Sequence, residues 1–238
     1  MVSVLLTEQL KRVKEVLATW KKVDDTVSQL CSTSSAAVSA PIGTACSTNF
    51  NITAGLVGFL SGNFSGKTWR DEYLGVNATV KKNVGAKKTD NGVQFQGAWA
   101  EWPVGAQGQN QLYHFANYNF TLVATVSMHN VPKSGSIPLM GARLDGEDKS
   151  KFMELSYNSE KKWRVLCGGR TTEEHSRTWE PETTYQVAIV LQNGTQGSVY
   201  VDGKRVCGSV QRQLETTDSK KISHFYIGGD GGSTESKE

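Results

Sequence analysis

The chain is short of several things, and each shortage narrows what it does. Charge of either sign is not in surplus: 26 Lys and Arg stand against 23 Asp and Glu, a net of +3. No Lys/Arg stripe with interleaved aromatics is present, which argues against a nucleic-acid groove. No apolar run reaches the ~18 residues that a membrane helix needs. The opening MVSVLL has no basic n-region and too brief an apolar stretch for a secretion signal. Histidine is scarce and scattered at His114, His129, His175 and His224, with no i, i+4 pair, and the four cysteines form no CxxC, so zinc-ligand spacing is missing. No cofactor is expected. Strand and helix patterns do not alternate, which excludes a parallel βα sheet.

Two phosphate- and blade-type motifs also fail on inspection. SGNFSGKTW (61–69) ends in Gly-Lys-Thr, but a P-loop places four residues between its glycines, whereas Gly62 and Gly66 enclose three. The box Ser-x-Asp-x-Gly-x-Thr-Trp is matched only at Gly66, Thr68 and Trp69; Phe64 stands at the aspartate position and cannot close the turn by hydrogen bonds.

What is present divides the chain into unlike parts. Leu6, Leu10, Val13, Leu17, Trp20, Val23, Val27 and Leu30 recur at steps of three and four, predicting one amphipathic helix over 1–30 with a single apolar stripe. Such a rod is roughly 37 Å long, and one stripe along it must lie against something. STSSAAVSAPIGTACS reads as a loop, giving 31–47 as a segment held at its ends.

From about residue 52 the pattern turns to strands and turns. Phe120, Leu122, Ala124, Val126 and Met128 alternate with Thr121, Val123, Thr125 and Ser127; Tyr185, Val187, Ile189 and Leu191 repeat the period. Further strands are expected at 137–144, 151–157, 162–167, 184–192, 198–202, 204–208 and 223–228. Asp202-Gly203 between SVYV and KRVC supplies positive φ for a type I′ hairpin, and Asn193-Gly194 offers a similar turn. The fold class is mainly β, an antiparallel sandwich over 48–238 preceded by one long α-helix.

Cys31, Cys46, Cys167 and Cys207 allow three pairings. The local one, Cys31–Cys46 with Cys167–Cys207, pins the 31–47 loop at a gain of roughly 3 kcal/mol in the chain-entropy picture; free buried thiols are the alternative. Asn-x-Ser/Thr occurs at Asn51, Asn63, Asn77, Asn119 and Asn193, five times among 12 Asn where chance gives roughly two. Sequons and cysteines together point to an oxidising, extracellular setting.

Residues able to do chemistry are not arranged by spacing alone. Glu101, Glu154, Asp145, Arg143 and Arg164 supply carboxylates and cations for glycoside chemistry, yet nothing selects a pair. Asp145, Glu147 and Asp148 could ligate calcium but read better as a turn, LDGED. Glu173, Glu174, His175, Arg177, Glu180 and Glu182 surround Pro181 and read as an exposed connection. Lys81, Lys82, Lys87 and Lys88 form a local basic patch. Trp99 and Trp102 in GAWAEWPVG either stack on a sugar or fill the core. No catalytic or metal residue is assigned.

Several long stretches together carry a resemblance: LTEQLKRVKEVLATWKKVDDTVSQLC, GLVGFLSGNFSGKTWRDEYLGVNATV, GVQFQGAWAEWPVG, GSVYVDGKRVCGS and HFYIGGDGG. They resemble the C-terminal part of trypanosomal trans-sialidase-superfamily surface proteins. The resemblance implies a concanavalin A-like (laminin-G-like) lectin sandwich joined by a connecting helix to an upstream sialidase-like propeller in the same parent chain. The catalytic residues of that family belong to the propeller, so none transfers. The family signature Val-Thr-Val-x-Asn-Val-x-Leu-Tyr-Asn-Arg falls beyond Glu238, which implies that the sandwich here lacks its last strand and any lipid-anchor signal. The function implied is a non-catalytic, lectin-like module of a cell-surface glycoprotein that adheres to host glycans or matrix proteins, or else a brace for the upstream propeller.

Overall fold

The computed structural model describes residues 55–73, 76–104, 113–145, 150–167, 172–207, 212–213 and 221–231, together with Leu10, Lys11, Lys14, Glu15, Leu17, Ala18 and Lys21. Those seven separate residues have helical backbone and are exposed. The helix expected over 1–30 as a whole, the 31–47 loop with Cys31 and Cys46, and Asn51 lie outside the described residues.

Among the described residues there are sixteen strands: β1 (Leu60–Ser65), β2 (Thr68–Asp71), β3 (Ala78–Lys81), β4 (Ala86–Lys88), β5 (Val93–Phe95), β6 (Trp99–Pro103), β7 (Phe120–Ser127), β8 (Ser136–Leu144), β9 (Lys151–Asn158), β10 (Lys162–Cys167), β11 (Thr172–Thr178), β12 (Thr184–Gln192), β13 (Gln196–Val201), β14 (Lys204–Arg205), β15 (Arg212–Gln213) and β16 (Ile222–Ile227). They form a nine-stranded sheet in the order β1-β2-β3-β6-β16-β8-β9-β10-β11 and a five-stranded sheet, β14-β13-β12-β7, with β15 also on β13. β4 and β5 make a separate hairpin. Every pairing is antiparallel.

Period-2 patterning explains why the two sheets pack. On β12 the residues Val187, Ile189 and Leu191 are buried while their neighbours are not. On β10 Trp163, Val165 and Cys167 are buried in the same core. The rings of Phe120 on β7 and Phe225 on β16 meet at 4.9 Å, and Trp163 on β10 meets Tyr185 on β12 at 5.3 Å. These aromatic contacts run from one sheet to the other and add about 0.5–1.5 kcal/mol each beyond area burial. A sandwich results because each sheet has one apolar face that must be covered.

Turn chemistry sets the register as anticipated. Asp202 and Gly203 have φ of 47° and 71°, joining β13 to β14 with Val201 opposite Lys204. Asn193 and Gly194 are likewise positive at 52° and 70°, with Thr195 added before β13. Within SGNFSGKTW, Gly66 at φ 61° turns β1 into β2, the glycine-first arrangement of a tight hairpin. Trp69 is buried, and its indole N–H donates to the Ser61 carbonyl.

One expectation is corrected. The polar run 172–178 is strand β11 rather than a connection, with Glu174 opposite Arg164 and Glu173 opposite Val165. An edge strand answers to one neighbour only and tolerates polar residues on both faces, so it shows no apolar period.

A knot of hydrogen bonds closes the start of the sandwich. Asp71, almost wholly buried, accepts from the Phe59 and Tyr73 amides at 2.7 and 3.1 Å and from the Tyr113 hydroxyl at 3.1 Å. Its own amide donates to Asn77 Oδ1 at 3.0 Å. Burial, then the Asp71 charge, push the Tyr113 phenol up, so it stays a donor. Trp102 donates to the Val76 carbonyl at 2.6 Å from beside it.

Cys167 at the end of β10 is bonded to Cys207, just past β14, with Cα atoms 6.6 Å apart and 40 residues of separation. The bridge ties one sheet to the other. Replacing both cysteines by serine is expected to lower the unfolding free energy by about 2–4 kcal/mol, read from denaturant melts of the oxidised parent and the variant.

Candidate functional site

The face of the nine-stranded sheet turned away from the core holds the chemistry. Ala100 and Trp102 on β6 point into the core, so Trp99, Glu101 and Pro103 point outward. On β16 Phe225 faces the core and Tyr226 faces out; on β8 Met140 and Ala142 face in and Gly141 faces out. Registers then line up Thr79, Glu101, Tyr226, Gly141, Glu154 and Leu166 in one row across the sheet.

Gly141 decides what this row does. A Cβ there would lie 2.2 Å from the Tyr226 hydroxyl oxygen and 2.4 Å from the Met153 carbonyl. With no side chain in the way, the phenol crosses β8 and donates to Glu154 Oε2 at 2.7 Å. Glu154 also pairs with Lys151 Nζ at 2.7 Å, and Lys151 reaches Asp230 Oδ2 at 2.6 Å. Arg143 donates to the Asp230 carbonyl, lies 3.5 Å from its carboxylate and stacks 5.8 Å from the Tyr226 ring centre. Burial works against the Lys151 ammonium, but its hydrogen bonds to Asp230 and Glu154 and their charges win, and its pKa is raised. Burial first, and then the Glu154 charge, hold the Tyr226 phenol far above its ordinary value.

The second half of the face is more open. Trp99 Nε1 donates to Glu101 Oε1 at 3.2 Å, and Lys81 pairs with Glu101 Oε2 at 3.2 Å. Lys82, in a left-handed conformation at φ 48°, holds its ammonium 5.9 Å from the Trp99 ring centre. Gly229 and Gly231 lie against the same Trp99 side chain, where a Cβ on Gly231 would meet the indole at 3.1 Å. Burial opposes ionisation of Glu101, but the Trp99 indole and Lys81 outweigh it, and its pKa is lowered.

Of the residues marked for glycoside chemistry, the fold brings Glu154 and Arg143 into one network and leaves Glu101 apart. The backbones of Glu101 and Glu154 are three strand spacings apart, about 14 Å, whereas the carboxyl groups of a glycosidase pair stand ~5–5.5 Å (retaining) or ~6.5–9.5 Å (inverting) apart. Tyr226 and Glu154 have the composition of a tyrosine nucleophile with its base, but Tyr226 is 0% exposed and its hydroxyl is closed off from any substrate. Arg164 reaches Ser136 Oγ at 3.4 Å, and the Asp145 amide donates to the Lys221 carbonyl at 2.6 Å. Glu147 and Asp148 lie outside the described residues.

The remaining candidates scatter. His129 pairs with Glu182 at 2.9 Å on the surface, Lys161 with Glu180 at 2.7 Å, and His175 Nδ1 accepts from the Arg177 amide at 3.1 Å. His224 contacts Ser223 Oγ at 2.9 Å; His114 begins a short 3₁₀ turn, His114–Asn117. Among the described residues no three His, Cys, Asp or Glu come together as metal ligands. Lys87 and Lys88 are exposed on β4, Trp102 is in the core, and Trp99 is on the outer face. Asn63, Asn77, Asn119 and Asn193 are all exposed, and Asn119 Oδ1 accepts from the Asn193 amide at 2.9 Å. Tyr226, Lys151, Asp230 and Gly141 were not singled out in sequence. The glycine breaking the apolar strand SIPLMGARL was the one available sign of a close approach.

Two outcomes follow from the charges on this face. Lys151→Met leaves Glu154 and Asp230 without their shared cation, though Tyr226 and Arg143 remain to them, and is expected to destabilise by about 1.5–3 kcal/mol, measured by urea unfolding at pH 7. For Glu101, whose folded pKa lies below the ordinary 4.5, the stability it contributes is fully present above 4.5 and is lost as pH falls through the folded value. Thermal melts in that acid range should therefore fall less steeply for Glu101→Gln than for the parent.

A family profile described as "Trans-sialidase, C-terminal domain" matches residues 52–238. "Sialidase 85-1.1" of Trypanosoma cruzi is 36% identical over 225 residues, covering 92% of this chain and 26% of that protein. A second T. cruzi protein, "Sialidase", is 40% identical over 159 residues, 66% of this chain and 13% of its own length. The solved Trypanosoma rangeli sialidase superposes with a TM-score of 0.76 at 39% identity, over 97% of this chain and 35% of that one. This chain thus spans about a third or less of these relatives. With the antiparallel sandwich and the extent of the match in agreement, the chain belongs to the trans-sialidase C-terminal domain family.

Proposed function

We propose that this chain is a non-catalytic, lectin-like module of a cell-surface glycoprotein and contributes to adhesion to host glycans or matrix proteins. The observation that carries the reading is Trp99. It is an aromatic ring on the outer sheet face, flanked by the Glu101 carboxylate and the Lys81 and Lys82 ammonium groups. A ring face beside fixed donors and acceptors is the chemistry that sugars and polar peptide surfaces recognise. Absence of catalysis in this chain is part of the proposal, supported by the backbone spacing of Glu101 from Glu154, about 14 Å or three strand steps, and by the sealed Tyr226 hydroxyl. Exposure of the four described sequons fits an extracellular placement. Attachment to a membrane would come through a lipid anchor elsewhere in the parent protein.

A second reading has its own support. Leu10 and Leu17 of the expected helical stripe are 55% and 54% exposed, and Leu56, Val57 and Phe59 on the lead into β1 are 37%, 45% and 38% exposed. Apolar surface of this kind suits docking against a preceding domain, so the sandwich would brace an upstream propeller that hydrolyses or transfers sialic acid.

One set of measurements separates the two. Adhesion predicts saturable binding of the disulfide-bonded chain on a glycan array or to purified matrix proteins, weakened at least about tenfold by Trp99→Ala in protein whose circular dichroism shows the sandwich still folded. A brace predicts no saturable binding in either assay. Turnover of a sialyl donor by this chain alone would overturn the non-catalytic reading.

A further inference from the structure

Asn-Gly occurs twice in the chain, at Asn91-Gly92 and Asn193-Gly194. Glycine has no side chain to shield its amide nitrogen, so that nitrogen can turn on the carboxamide of the asparagine before it. Both pairs lie in hairpin loops, one between β4 and β5 and one between β12 and β13. The dipeptides are identical; their surroundings are not.

The second pair is locked. The Gly194 amide is buried and donates to the Tyr118 carbonyl at 2.7 Å. The Asn193 amide donates to Asn119 Oδ1 at 2.9 Å, and the two residues hold φ of 52° and 70°. For the Gly194 nitrogen to attack its neighbour, a buried hydrogen bond must first be given up. The first pair is open. Asn91 is exposed, and among the described residues neither its side chain nor the Gly92 amide makes a hydrogen bond. A Cβ on Gly92 would meet nothing nearer than Thr89 Oγ1, at 3.9 Å. The Thr89 and Asp90 carbonyls rest on Gly62 of β1, so the anchored part of the loop ends just before Asn91. One bond closes the loop, from the Thr89 amide to the Gly92 carbonyl at 3.0 Å. The hairpin has three residue pairs and belongs to neither large sheet, so it opens locally at less cost than the core strands.

We propose that Asn91 is a site of spontaneous deamidation, a modification that the fold permits there and blocks at Asn193. The Gly92 nitrogen attacks Asn91 Cγ and forms the new N–Cγ bond of a succinimide. The Cγ–Nδ2 bond breaks, and the Gly92 amide proton leaves with that nitrogen as ammonia. Water then opens the ring. Cleavage at Cγ gives aspartate; cleavage at the Asn91 main-chain carbonyl gives isoaspartate, with the chain now running through Cγ. Either product puts a carboxylate at the tip of the hairpin that carries Lys87 and Lys88. Isoaspartate also lengthens the loop that Thr89 and Gly92 close.

The test ages the full chain, produced without N-glycans so that Asn193 keeps its carboxamide, at mildly alkaline pH. Peptide mapping reads aspartate and isoaspartate at both positions. In the folded chain position 91 should convert at least about tenfold faster than position 193. In urea, with the disulfides reduced, the two should convert at similar rates, because each is asparagine before glycine and no fold protects either. Gly92→Ile shields the nitrogen with a branched side chain and should slow conversion at 91 at least about tenfold, leaving circular dichroism and position 193 unchanged. Equal rates in the folded chain, or a faster position 193, overturn the proposal. So does conversion at 91 that is indifferent to Gly92→Ile, or an intact Asn91 in folded protein when the unfolded chain has converted.

Discussion

The outer face of the large sheet is organised around a missing side chain. Gly141 leaves β8 bare at the point where Tyr226 must pass to reach Glu154, two strands away. Glu154 is a carboxylate in the middle of a nine-stranded sheet and would be costly without partners. The phenol and the Lys151 ammonium supply them. Lys151 in turn draws in Asp230, and Arg143 fastens the same residue from the next strand position. The segment leaving β16 is thereby held across the sheet, against Trp99. A network that first looks like an active site is a clasp, because each charge is committed to another and the hydroxyl at its centre is buried.

That distinction shapes the functional reading. Carboxylates, arginines and a tyrosine are all present on one face, as carbohydrate chemistry requires. The buried half of the face spends them on fixing the chain; the open half leaves Trp99, Glu101, Lys81 and Lys82 at the surface. A scaffold whose polar network is satisfied can present the half-buried Trp99 ring and its neighbouring charges with little reorganisation, which is what the proposed recognition role would draw on.

How much of this was readable in the residues varies with the range of the interaction. Strands β7 and β12 were legible because each repeats its apolar residues at period two, and β8, β9, β10 and β16 as short apolar-rich runs between turn residues. The Asp202-Gly203 hairpin was legible because positive φ at two successive positions has few residue solutions. β11 was not, since an edge strand has only one neighbour to satisfy and its charges mimic a loop. Glu154 and Arg143 were recognised as candidates but not as partners, because the strands that bring them together are joined through register and not through sequence spacing.

By itself, then, the sequence determined the antiparallel all-β class, the tight turns and the family, all of which rest on local periodicity, backbone conformation or long matching segments. Tertiary structure alone decided which face each charge occupies, that Trp102 enters the core while Trp99 does not, and that Tyr226 crosses over Gly141 to a glutamate some 72 residues away. The physical reason is that a sheet juxtaposes residues across strands, where the spacing is set by pairing order and register rather than by distance along the chain.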